Sequence, residues 1–334
     1  MEATLNPGPD HDRRAVIAGL CAVTAGWGGQ TAAQEPEAPS GPPQIRLLSN
    51  LFTRVGAAVT LNNQGPFSFV IDTGAGSTAV ADTVAEQLGL PARAPLLVHG
   101  IASATLTPSV EVERLAIGGF GFHDLRCPVL PRAHLAADGL LGLDVLDRFR
   151  LSFDVVRQTA DLSLRGVRVV MGGDADTGSR LTRLTTRSVR GRYGQMILTQ
   201  TEVDGQRVDS FIDSGAQYSI GNLALRQAIG ARRPDRRLQT RPVPVYSVTG
   251  QRVLAELGLV QELRLGGSRL GVTPLLFADL HVFETLGLAD RPALLIGADL
   301  LSRFRLVTLD FPNNRVSLRG LRRQSTRPLD LPNG

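Results

Sequence analysis

Short apolar segments separated by polar turns run through most of this chain, a pattern typical of a protein built mainly from β-strands. Residues 57–61 and 67–71 are two such segments, and the polar stretch 62–66 between them predicts a hairpin. A second, tighter hairpin is predicted at Asp204-Gly205, because Asp-Gly is a preferred two-residue turn. Strands close together in sequence are therefore expected to pair with each other.

Helices are predicted to be few and short. The two candidates lie near 82–88 and 223–229, and each is predicted to end at a glycine, the usual residue just past a helix C-terminus. Many short strands, few helices and 36 glycines favour a mostly β fold made of barrel-like lobes.

The apolar pattern occurs twice along the chain. Residues 69–75 (FVIDTGA) recur as residues 210–216 (SFIDSGA), at an offset of 141 residues (213 − 72). Later matches pair 115–119 with 263–267 at an offset of 148 (263 − 115), and 140–144 with 295–299 and 149–151 with 304–306 at 155 (295 − 140, 304 − 149). The period far exceeds that of a solenoid repeat, which is about 20–50 residues. The order of the matches is kept, so the sequence predicts a duplicated lobe.

The repeated motif carries the candidate chemistry. Each copy ends an apolar strand with a carboxylate, Asp72 in the first copy and Asp213 in the second. The motif continues with a small hydroxyl residue, a glycine and an alanine, which are Thr73, Gly74 and Ala75, then Ser214, Gly215 and Ala216. Two close carboxylates are a known way to activate water. Glycine at the third position lets the backbone approach the carboxylate closely.

Composition excludes several functions. The chain has 334 residues and a net charge of +5, and all 36 of its basic Lys+Arg residues are arginine. Without lysine, a Walker-type phosphate loop and Schiff-base chemistry are excluded. The arginines are scattered without an aromatic-interleaved basic stripe, so no nucleic-acid partner is expected. No metal-ligand spacing is found among the five histidines, which are residues 11, 99, 123, 134 and 281.

The N-terminus predicts export from a bacterial cell. Arg13-Arg14 precedes an apolar run at 15–27 and a small-residue site, the order of a signal peptide that resembles the twin-arginine type. We expect residues 1–33 to be removed, and the mature protein to be periplasmic or secreted without a stable membrane span. Cys127 would then be the one remaining cysteine, which excludes an internal disulfide.

Further boundaries follow from composition. Residues 34–44 are predicted to be a flexible linker, residues 171–180 a connector between the lobes, and residues 322–334 a polar tail.

The motifs resemble those of the pepsin and retropepsin clan of aspartic peptidases, and most of all bacterial exported aspartyl proteases with two retropepsin-like lobes. The resemblance covers residues 45–320 and is strongest at the two Asp-Thr/Ser-Gly-Ala segments and the two Leu/Ile-Gly segments. It implies lobes at 45–170 and 181–321 with a cleft between them. It also implies a monomeric aspartic endopeptidase that binds an extended polypeptide and needs no metal or organic cofactor.

The resemblance also implies roles for the neighbouring residues. The hydroxyls of Thr73 and Ser214 would hydrogen-bond across to the opposite loop, and Gly142 and Gly297 would pass close behind the two loops. A β-hairpin that closes over the substrate, the flap, is the remaining expected element. Its candidates are His99 and Gly100 in the first lobe and Tyr246 and Gly250 in the second.

Ala75 and Ala216 predict the pH range of activity. A serine or threonine at this position, as in strongly acid-active relatives, donates a hydrogen bond that lowers the pKa of the carboxyl, and alanine has no such donor. We therefore expect an optimum at weakly acidic to neutral pH.

Two other readings of the chain stay open at this stage. They are a peptide-binding module that no longer cleaves and a structural envelope protein in which the repeat only builds a scaffold. Asp176-Thr177-Gly178 matches the short motif, but no apolar strand precedes it, so a catalytic role is not expected there. Asp144 and Asp299 follow the glycine segments and are expected to be structural or helix-capping carboxylates.

Overall fold

A computed structural model describes residues 3–5, 16–17, 56–164, 167–171, 183–191, 194–232 and 241–322. Most of the predicted signal peptide and of the polar tail, nearly all of the connector at 171–180, and the whole of the linker at 34–44 lie outside the described residues. Asp176-Thr177-Gly178 lies outside them as well.

The first lobe is a nine-stranded sheet that closes on itself. Its strands are β1 (Ala3–Leu5), β2 (Val16–Ile17), β3 (Gly56–Leu61), β4 (Gln64–Ile71), β5 (Ala79–Ala81), β6 (Ala92–His99), β7 (Ala104–Ile117), β8 (Phe120–Leu130) and β9 (Gly139–Leu141). Its helices are α1 (Asp82–Gln87), α2 (Arg132–Leu135) and α3 (Leu143–Leu146). Pairing of β7 with β8 closes the sheet into a barrel-like body.

Four strands follow the first lobe along the chain: β10 (Arg150–Asp154), β11 (Thr159–Leu164), β12 (Val167–Met171) and β13 (Arg183–Arg190). The second lobe then repeats the first with β14 (Met196–Val203), β15 (Gln206–Ile212), β16 (Ile220–Gly221), β17 (Arg241–Tyr246), β18 (Arg252–Leu265), β19 (Ser268–Phe277) and β20 (Ala293–Ile296). Its helices are α4 (Leu223–Arg232), α5 (His281–Thr285) and α6 (Ala298–Leu301). Here β14 pairs with β18 to close the body.

The two lobes share one sheet. The chain ends its described part with β21 (Phe304–Asp310) and β22 (Arg315–Leu321), which follow the second lobe as β10 and β11 follow the first. Strand β10 pairs antiparallel with β21, and β13 pairs with β22, so strands from both halves form a continuous ladder β12-β11-β10-β21-β22-β13. The mostly β fold with two related lobes is confirmed.

The hydrophobic pattern explains which faces are buried. Along β3 the apolar side chains of Ala57, Val59 and Leu61 are buried, and the residues between them are more exposed, as expected for a strand with one face on a core. Each lobe packs such faces around phenylalanines, for example Phe69 in the first lobe and Phe211 in the second.

Two local predictions need correction. The first hairpin turns at Asn62-Asn63, both with positive φ (48° and 64°), because asparagine tolerates the left-handed conformation; the predicted five-residue loop at 62–66 was too long. Helix α4 continues through Gly230 to Arg232, so that glycine lies inside the helix and does not end it. Gly89 does follow helix α1 with positive φ (57°), as predicted.

Candidate active site

Parallel strand pairing positions the two motif aspartates in the same way in each lobe. Strand β4 lies parallel to β9, and β15 lies parallel to β20. The ladder continues one residue beyond each strand, since Asp72 N donates to Leu141 O and Asp213 N donates to Ile296 O, both at 3.0 Å. The two aspartates therefore sit at equivalent strand ends.

The structure brings these two aspartates together at the lobe boundary. Asp72 is 1% exposed and Asp213 is 3% exposed. Within each loop, two backbone N–H groups donate to the Oδ1 atom of the aspartate: Gly74 N and Ala75 N at 2.9 and 3.1 Å from Asp72, and Gly215 N and Ala216 N both at 2.9 Å from Asp213. These donors fix the orientation of both carboxyl groups.

The two carboxyl groups interact directly. Burial raises the pKa of Asp213 well above its ordinary value, and the charge of Asp72 and a hydrogen bond between the two carboxyls raise it further. Two carboxylates this close do not both ionise, so the pair holds one proton over a wide pH range.

The motif glycines make this approach possible. A Cβ at Gly74 would collide with the carboxyl group of Asp213, and a Cβ at Gly215 would collide with that of Asp72. Each loop therefore packs its glycine against the opposite aspartate, where any other residue is too large.

The hydroxyl residues join the two loops by four hydrogen bonds. Thr73 Oγ1 donates to Ile212 O at 3.1 Å and accepts from Ser214 N at 3.0 Å. Ser214 Oγ donates to Ile71 O at 2.9 Å and accepts from Thr73 N at 3.1 Å. These are the cross-lobe bonds that the resemblance implied, and they hold the two halves of the site in register.

Gly142 and Gly297 lie directly behind the loops. A Cβ at Gly142 would collide with the backbone of Ser77, and one at Gly297 would lie 2.6 Å from the carbonyl carbon of Tyr218. The next residue of each segment donates its N–H to the loop, Leu143 N to Ala75 O and Ala298 N to Ala216 O, both at 2.8 Å.

A buried hydroxyl and a half-buried carboxyl support each loop from behind, and sequence reasoning missed the hydroxyls. Thr78 Oγ1 donates to Asp144 Oδ1 at 2.8 Å and accepts from Gly142 N at 3.1 Å. In the second lobe, Ser219 Oγ donates to Asp299 Oδ1 at 2.6 Å and accepts from Gly297 N at 2.9 Å. The available signal was the repeat itself, because Thr78 and Ser219 are 141 residues apart (219 − 78), as the aspartates are.

Burial also changes the acidity of these supporting carboxyls. It raises the pKa of Asp144 to about 6 and raises that of Asp299 in the same direction. Both carboxyls lie at the start of short helices and also accept a helix N–H, from Val145 and Leu300. Their place is structural, in line with their expected role.

The candidate flap residues lie at or next to hairpin tips. His99 ends β6 and Gly100 begins the β6–β7 turn, while Tyr246 ends β17 and Gly250 lies in the β17–β18 turn with φ of 77°. The two tips meet across the lobe boundary, since a Cβ at Gly100 would collide with the side chain of Gln251.

The two loops differ just after the motif. The first continues with Gly76-Ser77 and the second with Gln217-Tyr218, where Gln217 Nε2 donates to Tyr218 Oη at 3.0 Å. Burial raises the pKa of Tyr218 to about 12, so it stays a neutral phenol. The two halves of the site are therefore related but unequal.

Two further features of the described ranges bear on function. No group of three or more His, Cys, Asp or Glu residues among them is placed to hold a metal ion. In the same ranges, no helix has the length and apolar character needed to cross a membrane.

Comparison with known proteins identifies related chains. The family model described as aspartyl protease matches residues 57–145 and 199–300, one segment in each lobe. A comparison with curated proteins gives no match. Among solved structures, the chain is similar to a retropepsin-like aspartic protease from Rickettsia conorii at 16% identity and a TM-score of 0.28, over 44% of this chain and 95% of that one.

Proposed function

The chain belongs to the aspartyl protease family, and on that premise we propose that it is an aspartic endopeptidase whose catalytic pair is Asp72 and Asp213. One observation carries the proposal. The two carboxyls are buried, each packs against the motif glycine of the opposite loop, and each is oriented by backbone N–H groups of its own loop.

The proposed reaction uses the pair as one acid and one base. The ionised carboxylate takes a proton from water while the water oxygen attacks the scissile carbonyl carbon. The protonated carboxyl gives its proton to the carbonyl oxygen, which forms a neutral tetrahedral diol. Collapse of the diol breaks the C–N bond as a proton passes to the leaving nitrogen. The acid and base roles belong to the pair and are not assigned to single residues.

The raised pKa of Asp213 supports activity at weakly acidic to neutral pH. Its causes are burial and the neighbouring Asp72, and together they keep one proton on the pair when an isolated carboxyl would have lost it. The methyl side chains of Ala75 and Ala216 add no donor that would oppose this effect.

The proposed substrate is a polypeptide bound in extended form. Because the two lobes meet at the pair, a chain lying across it has residues on both sides of the cleaved bond, which is the arrangement of an endopeptidase. Hairpin edges beside such a chain offer main-chain hydrogen bonds that do not depend on its sequence.

Replacing either aspartate by asparagine tests the proposal. Asp72→Asn and Asp213→Asn should each reduce cleavage of an unfolded protein by at least about 10³-fold, because neither variant retains both an ionised and a protonated carboxyl. Cleavage is followed by mass spectrometry of the products, and circular dichroism checks that each variant folds.

Asp290→Asn is the matched control, since Asp290 is an exposed aspartate of the second lobe. It should cleave at the wild-type rate. Full activity in either asparagine variant of the pair would contradict the assignment. Peptide binding by the wild-type chain without cleavage at any pH would instead support the non-cleaving binding module.

We also propose that the protein acts outside the cytoplasm. The support is the order of charges, apolar residues and small residues in 1–33, with the mature chain continuing from residue 34 through the linker. N-terminal sequencing of the protein recovered from the periplasm or the medium tests this proposal.

A further inference from the structure

The tip of the first hairpin buries an apolar side chain in the second lobe. Ile101, at the β6–β7 tip of the first lobe, is 1% exposed and belongs to an apolar cluster whose other members all come from the second lobe. Val248, at the β17–β18 tip, is fully buried in the cluster that contains the first-lobe core. It is not in the cluster of Val245 and Ala255 from its own hairpin. The first tip is therefore anchored in the second lobe, whereas Val248 of the second tip is buried in a cluster that contains residues of both lobes.

One side chain bonds the two tips to each other. Gln251 Oε1 accepts from Ala102 N at 3.0 Å and from Ser103 N at 3.3 Å. Gln251 Nε2 donates to Ser103 O at 3.0 Å and lies 3.2 Å from Thr105 Oγ1. A residue of the second hairpin thus bonds both backbone and side-chain atoms of the first.

A histidine pair adds a contact that responds to protons. His99 Nδ1 lies 2.8 Å from His281 Nε2, with ring centroids 5.0 Å apart and planes 10° from parallel. His281 N also donates to Ile101 O at 2.8 Å. His99 ends the first hairpin strand and His281 begins α5 of the second lobe, so this pair joins the lobes.

The repeat places a histidine at the equivalent point of the first lobe. His134 on α2 and His281 on α5 are 147 residues apart (281 − 134), as are Ile101 and Val248 at the tips (248 − 101). A Cβ at Gly250 would lie 2.7 Å from His134 Cε1. Each lobe therefore presents a histidine to the tip of the opposite hairpin.

We propose that these contacts form a latch between the hairpins, made by His99, Ile101, Val248, Gln251 and His281, and that acid opens it by protonating both histidines of the pair. His99 and His281 are positioning residues in this account. They hold the hairpins closed and do not contact the reacting atoms.

The hydrogen-bond geometry explains the proton dependence. A distance of 2.8 Å between two imidazole nitrogens requires one to donate and the other to accept. When both rings carry two protons, two N–H groups point at each other and two positive charges lie side by side, so the contact breaks. This change falls in the range where histidine titrates, about pH 5 to 8.

The charged groups around the pair are few. His281 Nδ1 lies 3.1 Å from Glu284 Oε2. The tip residues that Gln251 bonds are neutral. On the opposite side, His134 faces the second hairpin, and the nearby Arg132 pairs with Asp138. Glu284, on the same helix as His281, is therefore the carboxylate that faces the pair.

The direction of the effect follows from His99. Burial, and then the charge of His281, lower the pKa of His99 below its ordinary value of 6.5 in the closed form. The closed form is favoured while His99 is neutral, so its advantage is lost as the pH falls through the lowered value. Acidification therefore shifts the equilibrium toward the open form.

The consequence for catalysis rests on the proposed function, because a latch over a buried aspartate pair controls entry of the polypeptide. The opening itself is measured without any substrate. Spin labels at Leu106→Cys on β7 and Leu254→Cys on β18, which are 70% and 60% exposed, report the distance between the hairpins in the full chain. Cys21→Ser removes the other cysteine from the sequence, and Cys127 is buried.

The expected result is one short distance at about pH 8 and an open population that grows about tenfold by about pH 5. His99→Phe keeps an aromatic ring but has no nitrogen that can be protonated, so it should abolish the pH response. His281→Gln is the second variant and should abolish it as well. His123→Gln, on β8 away from the tips, should respond as the wild type does.

The latch is overturned if the distance in the wild type does not change with pH. It is also overturned if the distance changes with pH as much in His99→Phe and His281→Gln as in the wild type. Failure of the proposed function has a different signature, because a wild-type chain without peptidase activity still reports its hairpin distance. When both proposals hold, the acid limb of kcat/KM shifts in His99→Phe and stays in place in His123→Gln.

Discussion

At the scale of single residues, a half-buried carboxyl behind the loop of Asp72 should make the stability of the fold depend on pH. Asp144 is half-buried, and hydrogen bonds from Thr78 and Val145 only partly offset the loss of solvation, so its pKa rises from 3.8 to about 6. A carboxyl whose pKa is raised by folding favours the folded state most when the pH is below the pKa that the group has in the unfolded chain. That contribution is lost as the pH rises through the folded value.

Asp144→Asn should remove this pH dependence. The wild type is expected to lose up to about 3 kcal/mol of folding free energy between about pH 4 and pH 7, as Asp144 is forced to ionise in the core. Asparagine keeps an oxygen acceptor for Thr78 and carries no charge. The stability of the variant relative to wild type should therefore increase with pH, as measured by urea unfolding.

Asp290→Asn is the control and should follow the wild-type pH dependence, because Asp290 is exposed. An unchanged difference between Asp144→Asn and wild type across this range would show that Asp144 ionises without penalty.

At the scale of elements, short loops and turns determine how closely the backbone packs. Gly142 lies between β9 and α3, where a Cβ would collide with the backbone of Ser77 behind the first catalytic loop. Gly230 lies in helix α4, where a Cβ would meet nothing within 4 Å. The same substitution is therefore expected to have opposite effects at the two sites.

Gly142→Ala should destabilise the fold by about 1–3 kcal/mol and lower kcat, because backbone atoms of the catalytic loop must move. Gly230→Ala should stabilise the fold by up to about 1 kcal/mol, since alanine loses less backbone entropy in a helix. Thermal unfolding measures the stability of both variants. Gly119→Ala is the control, because a Cβ at Gly119 would also meet nothing within 4 Å. A stable, fully active Gly142→Ala would contradict the packing role.

Local patterns explain which elements were predictable from sequence. The Asp204-Gly205 turn and the loops at Asp72 and Asp213 are set by neighbouring residues, and the repeat pointed to both copies. The loop predicted at 62–66 was too long because Gly65 and Pro66 are strong turn signals next to the actual turn at Asn62-Asn63. Gly230 was misread because a helix-ending glycine and a tolerated one look alike in a single sequence.

Contacts between distant residues were not predictable in the same way. The support of the loops by Thr78 and Ser219, and the burial of Ile101 in the second lobe, depend on tertiary packing. His99 and His281 are 182 residues apart, and nothing in the spacing of the histidines indicated that they touch. Such pairings follow from tertiary structure and not from local pattern.

At the scale of the whole molecule, one chain supplies both halves of the site. The lobes are joined by the four hydrogen bonds of Thr73 and Ser214, by the contacts between the hairpins, and by the sheet in which β10 pairs with β21. One copy therefore contains both aspartates of the proposed catalytic pair.

Activity per chain should not fall on dilution. If the pair forms within one chain, kcat stays constant from micromolar to subnanomolar enzyme, whereas a pair assembled from two chains would be lost by mass action. Light scattering at the upper concentrations should give the mass of one copy, and a loss of specific activity on dilution would contradict the single-chain site.

The unequal residues that follow the two motifs have a further consequence. A polypeptide has a direction, from amino to carboxyl terminus, and a perfectly two-fold symmetric cleft binds it equally well either way round. Here Gly76-Ser77 stands on one side and Gln217-Tyr218 on the other, so the two orientations of a bound chain meet different surroundings. Duplication within one chain thus allows the two directions of a bound polypeptide to differ in affinity.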